Sequence, residues 1–359
     1  MKYKNKKILS GGVDRLVILS DPYAKSVLKS IQVEELPRGL DFCDSFAICG
    51  MKNGCIVRIE LESQNVEKKF ESHCEGELWG LDVINDNQVV TSCDDNQIKT
   101  WDLGSKKCIA NGTVCEQQRR AKRGGASSLT SMADSQCARA VAVNKSSGHV
   151  AVGHNDGTVT IRASADKLNE VIATKNESRE WIEAMSYSPD SSKLAVGSHD
   201  NNIYIYSASD YALLGTLKAH NSFIVSVDWS TDGKYIRSVC GAHELLFFTV
   251  EDFKQDPSGG SNTVETEWQT SSNKYGWLVE GIFPSGVDGT HINHVEFSPD
   301  GNHIATADDY GLVNIFKNPA RSGAQPVSLR GHSEHVVRTK FAKGGDILLS
   351  VGGYDQCLI

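Results

Sequence analysis

Several kinds of sequence signal are missing, and each absence removes a class of protein. No stretch of the chain approaches the roughly 20 consecutive apolar residues needed to cross a bilayer, so no membrane partner is expected. The first residues, MKYKNKKILSGG, are basic but lack an apolar core, so no secretory signal peptide is expected either. Ten cysteines are scattered without a Cys-x-x-Cys pair, and Cys49, Cys55, Cys93 and Cys357 fall in expected strands. That pattern favours small buried side chains in a reducing, cytoplasmic setting over a disulfide frame or a zinc site. Phosphate-loop, His-Glu-x-x-His and Gly-x-Ser-x-Gly motifs are all missing. Gly-x-Asp-Gly-Thr at 286–290 lacks the alternating oxygen ligands of a calcium loop. The reading therefore assigns no catalytic, cofactor-binding or metal-binding residue and expects no enzyme. A net charge of −8 excludes a globally basic surface of the kind that binds nucleic acid.

What the chain does contain is one recurring pattern. A turn of small and polar residues leads into four or five residues of alternating apolar character. It reads SGGVDRLVILSD (10–21), TSCDDNQIKTWD (91–102), VGHNDGTVTIRA (152–163), VGSHDNNIYIYS (196–207) and VGGYDQCLI (351–359). Looser copies start at 49, 238 and 306. Period-two alternation makes strands with one apolar face, and Asp, Asn and Gly ahead of them suit hairpin turns. Upstream of several copies lies a further strand closed by Ser-Pro-Asp or Thr-Asp-Gly. Strand–turn units recurring every ~40–45 residues are the signature of a WD-repeat β-propeller. The expected fold is all-β, with seven blades and incomplete terminal units.

The position that carries Trp in such repeats falls at Ser20, Ile59, Trp101, Arg162, Tyr206, Phe248 and Phe316. Only Trp101 and Asp102 spell Trp-Asp. In that unit His73, Thr91, Asp95 and Trp101 can hydrogen-bond in series, a structural network that satisfies buried polar groups. Trp101 is expected to be buried, with its indole bonded. Two intervals are long, so insertions are expected at 117–128 and at the Ser/Gly/Thr-rich 255–276. Eight signatures exceed seven blades. Residues 1–32 are read as surplus strands of an incomplete blade and 33–359 as the propeller. The eighth unit is expected to break off within its third strand.

Two local basic groups stand out against the acidic total. Lys2, Lys4, Lys6 and Lys7 open the chain, and Arg119, Arg120, Lys122 and Arg123 lie in the first insertion among Gly and Ser. Either is a solvated segment or a contact to an acidic surface, where Coulomb attraction gains most at low salt.

With those residues laid out, the chain resembles the echinoderm microtubule-associated protein-like family, in the C-terminal half of its tandem propellers. GELWGLDV is similar to the family's blade opening, and SYSPDSSKLAVGSHDNNIYIYS to its SFSPDG…LAVGSHDN segment. GVDGTHINHV, TADDYGLVNIF and GHSEHVVRTKFAKGGDILLSVGGYD also match family segments. The resemblance implies a non-catalytic protein that binds tubulin polymer, with other microtubule-associated or axonemal proteins as partners. It implies a cytoskeletal location that includes the ciliary axoneme. It makes both basic groups candidate microtubule contacts. The competing expectation is a WD-repeat adaptor in a signalling or ubiquitin-ligase complex, which needs only the propeller.

Overall fold

Central strands in this chain are buried on both faces and outer strands are not, because the sheets stack face to face. The Asn202–Ser207 strand shows it: Ile203 and Ile205 are fully buried and Tyr206 nearly so, whereas Leu213 and Leu214 of the adjoining outer strand are exposed. A computed structural model describes residues 1–114, 136–283 and 291–359. It divides into two compact units, Met1–Glu75 and Gly76–Ile359.

The first unit holds two four-stranded antiparallel sheets, spanning Lys2–Gln32 and Pro37–Phe70. Residues 1–32, read from sequence as surplus strands, thus form a full sheet, and the boundary expected after residue 32 lies inside this unit. Asn5 and Lys6 both take positive φ (50° and 59°), forming a tight two-residue turn that folds Lys2–Lys4 back on Lys7–Gly11. Leu9, Val17 and Ile31 share one core with Ala47, Val57 and Ile59 of the second sheet.

The second unit holds five four-stranded sheets and one two-stranded sheet, all consecutive antiparallel meanders. Their first strands are Leu78–Asn85, Ala138–Val143, Ile182–Tyr187, Ile224–Trp229, Ile292–Phe297 and Val336–Ala342. The first four pack each beside the next, Ile292–Phe297 packs beside Val336–Ala342, and Val336–Ala342 returns to Leu78–Asn85. Leu78 N–H donates to Gly353 O at 3.2 Å, and Leu78, Leu81 and Val89 bury against Leu349 and Val351. These contacts close the sheets of Gly76–Ile359 into a ring around an axis lined by the first strands. This is a β-propeller. The alternating signatures occupy the third strands, as in Gln97–Asp102 and Leu312–Lys317. In the last sheet the third position is represented by a single bridge, Val351 to Leu358.

Among the described residues, one gap in the ring is not filled by a sheet. Between Ile224–Trp229 and Ile292–Phe297 runs the inserted segment after residue 266. Gln269 N–H donates to Trp229 O (2.9 Å), and Ser272 N–H and Oγ, with Asn273 Nδ2, reach the Asp228 carboxylate at 2.8–3.1 Å. On its other side Lys274 Nζ donates to Ile292 O at 2.8 Å. Six sheets and this spoke make seven positions around the axis.

The Ser-x-Asp turns between first and second strands recur with one geometry. Ser188, Ser230 and Ser298 hydroxyls donate to Asp190, Asp232 and Asp300 at 2.6, 2.7 and 2.5 Å. Each Asp then accepts a backbone N–H two residues on, which fixes the turn. His154, at the end of a second strand, is fully buried, with Nε2 2.8 Å from Thr160 Oγ1. Burial pushes its imidazole down to about 4. An unfolded histidine titrates near ~6.5, so below that pH the unfolded chain takes up a proton that the folded one refuses. Stability is therefore expected to be full above about pH 6.5 and to fall by ~1 kcal/mol per pH unit towards pH 4. Urea titrations across that range should show the slope, and His154→Gln should flatten it; an equal slope in the variant would refute the assignment.

Candidate functional site at the mouth of the ring

Each first strand begins at the end where the turn between the second and third strands also lies, as the pairing of Ile182 with Ser198 shows. The residues that open the first strands therefore converge on one rim of the Gly76–Ile359 ring. Trp79 and Arg139 follow the first paired residue of their strands, and Trp181 and Phe223 precede it in the next two sheets. The Arg139 guanidinium lies between two rings, 4.1 Å from the Trp79 centroid and 4.4 Å from that of Trp181. Asp94 pairs with it at 3.3 Å and accepts the Trp79 indole N–H at 3.1 Å. Cation–π contact and a shielded ion pair together fix this half of the rim. The aromatic chain continues from Trp181 to His199 (5.4 Å) and on to Phe223 (4.7 Å), and Glu183 Oε2 holds His199 Nε2 at 2.5 Å. These side chains surround a cavity of about 490 Å³.

Arg338 forms the floor of that cavity. From its first strand it donates Nε–H to Trp79 O (3.1 Å) in the adjacent sheet and Nη2–H to Glu183 O (2.5 Å), which lies two sheets further round the ring. Below it lies a second cavity of about 340 Å³ that shares Arg338 and His294 with the first. There Lys340 pairs with Glu296 at 3.2 Å. Burial, aided by the cationic Arg338, Lys340 and Lys274, holds His294 well below the usual imidazole range, so it stays neutral. The axis is thus a charged, plugged channel under an aromatic mouth. Trp181, Tyr310 and Tyr354 remain 41%, 67% and 64% exposed. Exposed aromatic side chains on a rigid frame suit non-covalent recognition of a protein segment.

The residues singled out from sequence lie elsewhere. Trp101 Nε1 donates to Thr91 Oγ1 at 2.8 Å, and Thr91 is fully buried. Asp95 accepts the Gln97 N–H at 2.9 Å, and His73 is a buried member of the first unit. The wider four-residue network stays a proposal. Trp101 itself is only partly buried, a correction to the expectation, because it sits at a register shift near the end of its strand. Trp101→Ala is accordingly expected to cost about 2 kcal/mol, the loss of one hydrogen bond and part of a ring's burial, measurable by denaturant unfolding. An unchanged midpoint would remove Trp101 from the blade's supporting contacts.

Lys2, Lys4 and Lys7 come together on the first hairpin, where Lys4 faces Lys7 in register and Lys6 sits in the turn. Lys2 makes an exposed ion pair with Asp41 at 3.9 Å. Arg119, Arg120, Lys122 and Arg123 lie outside the described residues. The mouth residues were not singled out from sequence. An alignment on the opening of each first strand, rather than on the Trp position of each third strand, would have set Trp79 with Arg139 in one column and Trp181, Phe223 and His335 in another two residues earlier.

Comparison with known proteins agrees with this architecture. Residues 78–359 match the family model described as the echinoderm microtubule-associated protein second beta-propeller, which begins within a few residues of the second compact unit. The chain is 60% identical over 98% of its length to the ciliary WD repeat-containing protein ctxp80 of Euplotoides octocarinatus. It covers 49% of that relative. It is 32% identical over 80% of its length to the 77 kDa echinoderm microtubule-associated protein of Strongylocentrotus purpuratus, covering 39% of it. Human echinoderm microtubule-associated protein-like 3 is 30% identical over 97% of the chain, with 37% of its own length covered. The chain therefore spans about half the length, or less, of these curated relatives. On the match to residues 78–359, this chain belongs to the echinoderm microtubule-associated protein family of WD-repeat propellers.

Proposed function

We propose that the protein is a non-catalytic, microtubule-associated WD-repeat protein that binds tubulin polymer, with ciliary and axonemal microtubules among its sites. The observation that carries this reading is the family match across 78–359, supported by a relative whose name is ciliary. The charge distribution is compatible with it. A chain of net −8 meets an acidic polymer only through local positive groups, and two are available. One is the exposed lysine hairpin of the first unit. The other is the run Arg119, Arg120, Lys122 and Arg123.

Pelleting of the purified protein with polymerised tubulin across a salt series tests the reading. Binding that weakens as salt rises is expected. Exposed ion pairs contribute at most ~1 kcal/mol each, so changing the four residues at 119–123 to Ala should weaken binding by roughly one to three decades and flatten the salt dependence. Unchanged affinity and slope would remove that run as a contact. The adaptor reading gains from the exposed aromatic rim, which suits a protein ligand. It becomes the better account if nothing pellets even at low salt.

A further inference from the structure

One histidine near the mouth is left with an unused nitrogen. His220 lies in the loop that leads into Ile224–Trp229, its side chain 1% exposed. Its Nε2 is 2.7 Å from Ser238 Oγ, but its Nδ1 is buried without a hydrogen-bond partner. Facing Nδ1 are the Cys240 thiol, at the end of Tyr235–Cys240, and the Glu244 carboxylate in the turn that follows. Glu244 Oε2 is 3.8 Å from His220 Nδ1 and 3.3 Å from Cys240 Sγ. One ligand atom from each of the three lies within 4.8 Å of the others.

The last sheet shows what the same position looks like when hydrogen bonds satisfy it. There His332 Nε2 is 2.8 Å from Ser350 Oγ, and Nδ1 is 2.9 Å from Asp355 Oδ2, in direct contact. In the His220 sheet that contact has opened by almost an ångström and a thiol has joined it. A tetrahedral zinc ion with Zn–S near ~2.3 Å and Zn–N and Zn–O near ~2.1 Å has ligand–ligand edges of about 3.4–3.6 Å. The observed 3.3 and 3.8 Å separations lie either side of that range.

We propose that His220 Nδ1, Cys240 Sγ and a Glu244 carboxylate oxygen bind one Zn²⁺, with water as the fourth ligand. Thiolate, neutral imidazole and carboxylate form a donor set suited to zinc, and their two negative charges balance the ion. On binding, the Cys240 thiol releases its proton to solvent. Burial already disfavours the imidazolium of His220, and the Asn221 side-chain and backbone N–H groups hold Glu244 below the usual carboxylate range. Ser238 orients the imidazole from behind, and Asn221 Nδ2 donates to Glu244 Oε1 at 2.7 Å, fixing the carboxylate. Cys240 also lines the mouth cavity, which gives a hydrated ion a route to the site. Zinc here would tie the His220 loop to the turn ending at Glu244 on one side of the rim. The spacing hides the site from sequence, because a Cys-x-x-x-Glu pair with a distant histidine matches no zinc motif.

The test uses the reduced full chain titrated with Co²⁺ and then with Zn²⁺. The expected result is one equivalent of Co²⁺ showing the intense d–d and thiolate charge-transfer absorption of a tetrahedral site, displaced by Zn²⁺. Cys240→Ser should abolish the charge-transfer band, whereas Cys357→Ser, which alters an exposed thiol, should keep it. Glu244→Gln, which leaves the buried thiol and imidazole in place, should weaken affinity at least tenfold. Circular dichroism of each variant reports whether it is folded. If no band forms, the proposal fails. It fails equally if the band survives in Cys240→Ser or if folded Glu244→Gln binds as tightly as the parent.

Discussion

Trp229→Ala is expected to lower the stability of the Gly76–Ile359 ring by about 3–5 kcal/mol, as deletion of a large aromatic core side chain does. Trp229 is fully buried and is the largest fully buried side chain among the described residues. It lies at the end of a first strand and packs in one cluster with Ala195, Ile205, Ile236 and Phe248, drawn from two neighbouring sheets. Its indole N–H donates to Ser186 O at 3.1 Å, a carbonyl of the preceding sheet. The substitution therefore opens a cavity at a sheet–sheet interface and leaves a carbonyl without its donor. In a ring of this size the melting temperature should drop by on the order of 10 °C. Scanning calorimetry checks it, and a parent-like melting temperature would mean that neighbouring sheets are held together by something other than these interleaved cores.

That interface logic explains why so much of the architecture was legible. A third strand must be apolar on the faces it buries and must be approached by a tight turn, so Ile203, Ile205 and Val159 announce themselves by spacing alone. The Ser-x-Asp turns are equally local, because each aspartate binds backbone within a few residues. Three features were not legible, each for a physical reason. Lys2–Lys4 is a three-residue exposed edge strand with no apolar pattern, so the first sheet read as incomplete. The mouth depends on residues that start different strands and meet only when the ring closes. Arg139 between Trp79 and Trp181 joins three segments spread over about 100 positions. Finally, the 255–276 insertion has the Ser, Gly and Thr content of a solvated loop, and nothing in its composition says that it fills a position in the ring.

Arg338 adds a constraint on any function of the mouth. Because it bonds to carbonyls of the Trp79 and Glu183 strands, its side chain is held across the channel at that level. A partner engaging this end would meet the rim and a cavity of about 490 Å³ whose lining includes Arg338. The rim itself is held by the Arg139–Asp94 pair at 3.3 Å.

Asp228→Ala should dislodge the non-sheet spoke and cost a further 3–5 kcal/mol, the range for breaking a buried ion pair from one side. The Asp228 carboxylate is fully buried. It accepts from Thr270 Oγ1 at 2.7 Å, from Ser272 N–H and Oγ, from Asn273 Nδ2, and from Arg237 Nε at 3.1 Å. Arg237 in turn lies 4.3 Å over the Trp268 ring and donates to Ser271 Oγ at 3.0 Å. One carboxylate thus anchors residues 268–273 both directly and through its cation. Removing it strands Arg237 and several donors in a site that water reaches poorly, so the segment should detach to find solvent. The effect differs in kind from that of Trp229→Ala. Hydrogen exchange should accelerate selectively at the Gln269 and Ser272 amides, while amides of the Asn202–Ser207 strand, in the neighbouring sheet, keep their protection below the melting range. Asp228→Asn, which retains one acceptor oxygen but not the charge that balances Arg237, should fall between parent and alanine variant. If Asp228→Ala left both the melting temperature and the Ser272 exchange rate unchanged, the insertion would be an accessory loop and the ring would close on its six sheets alone.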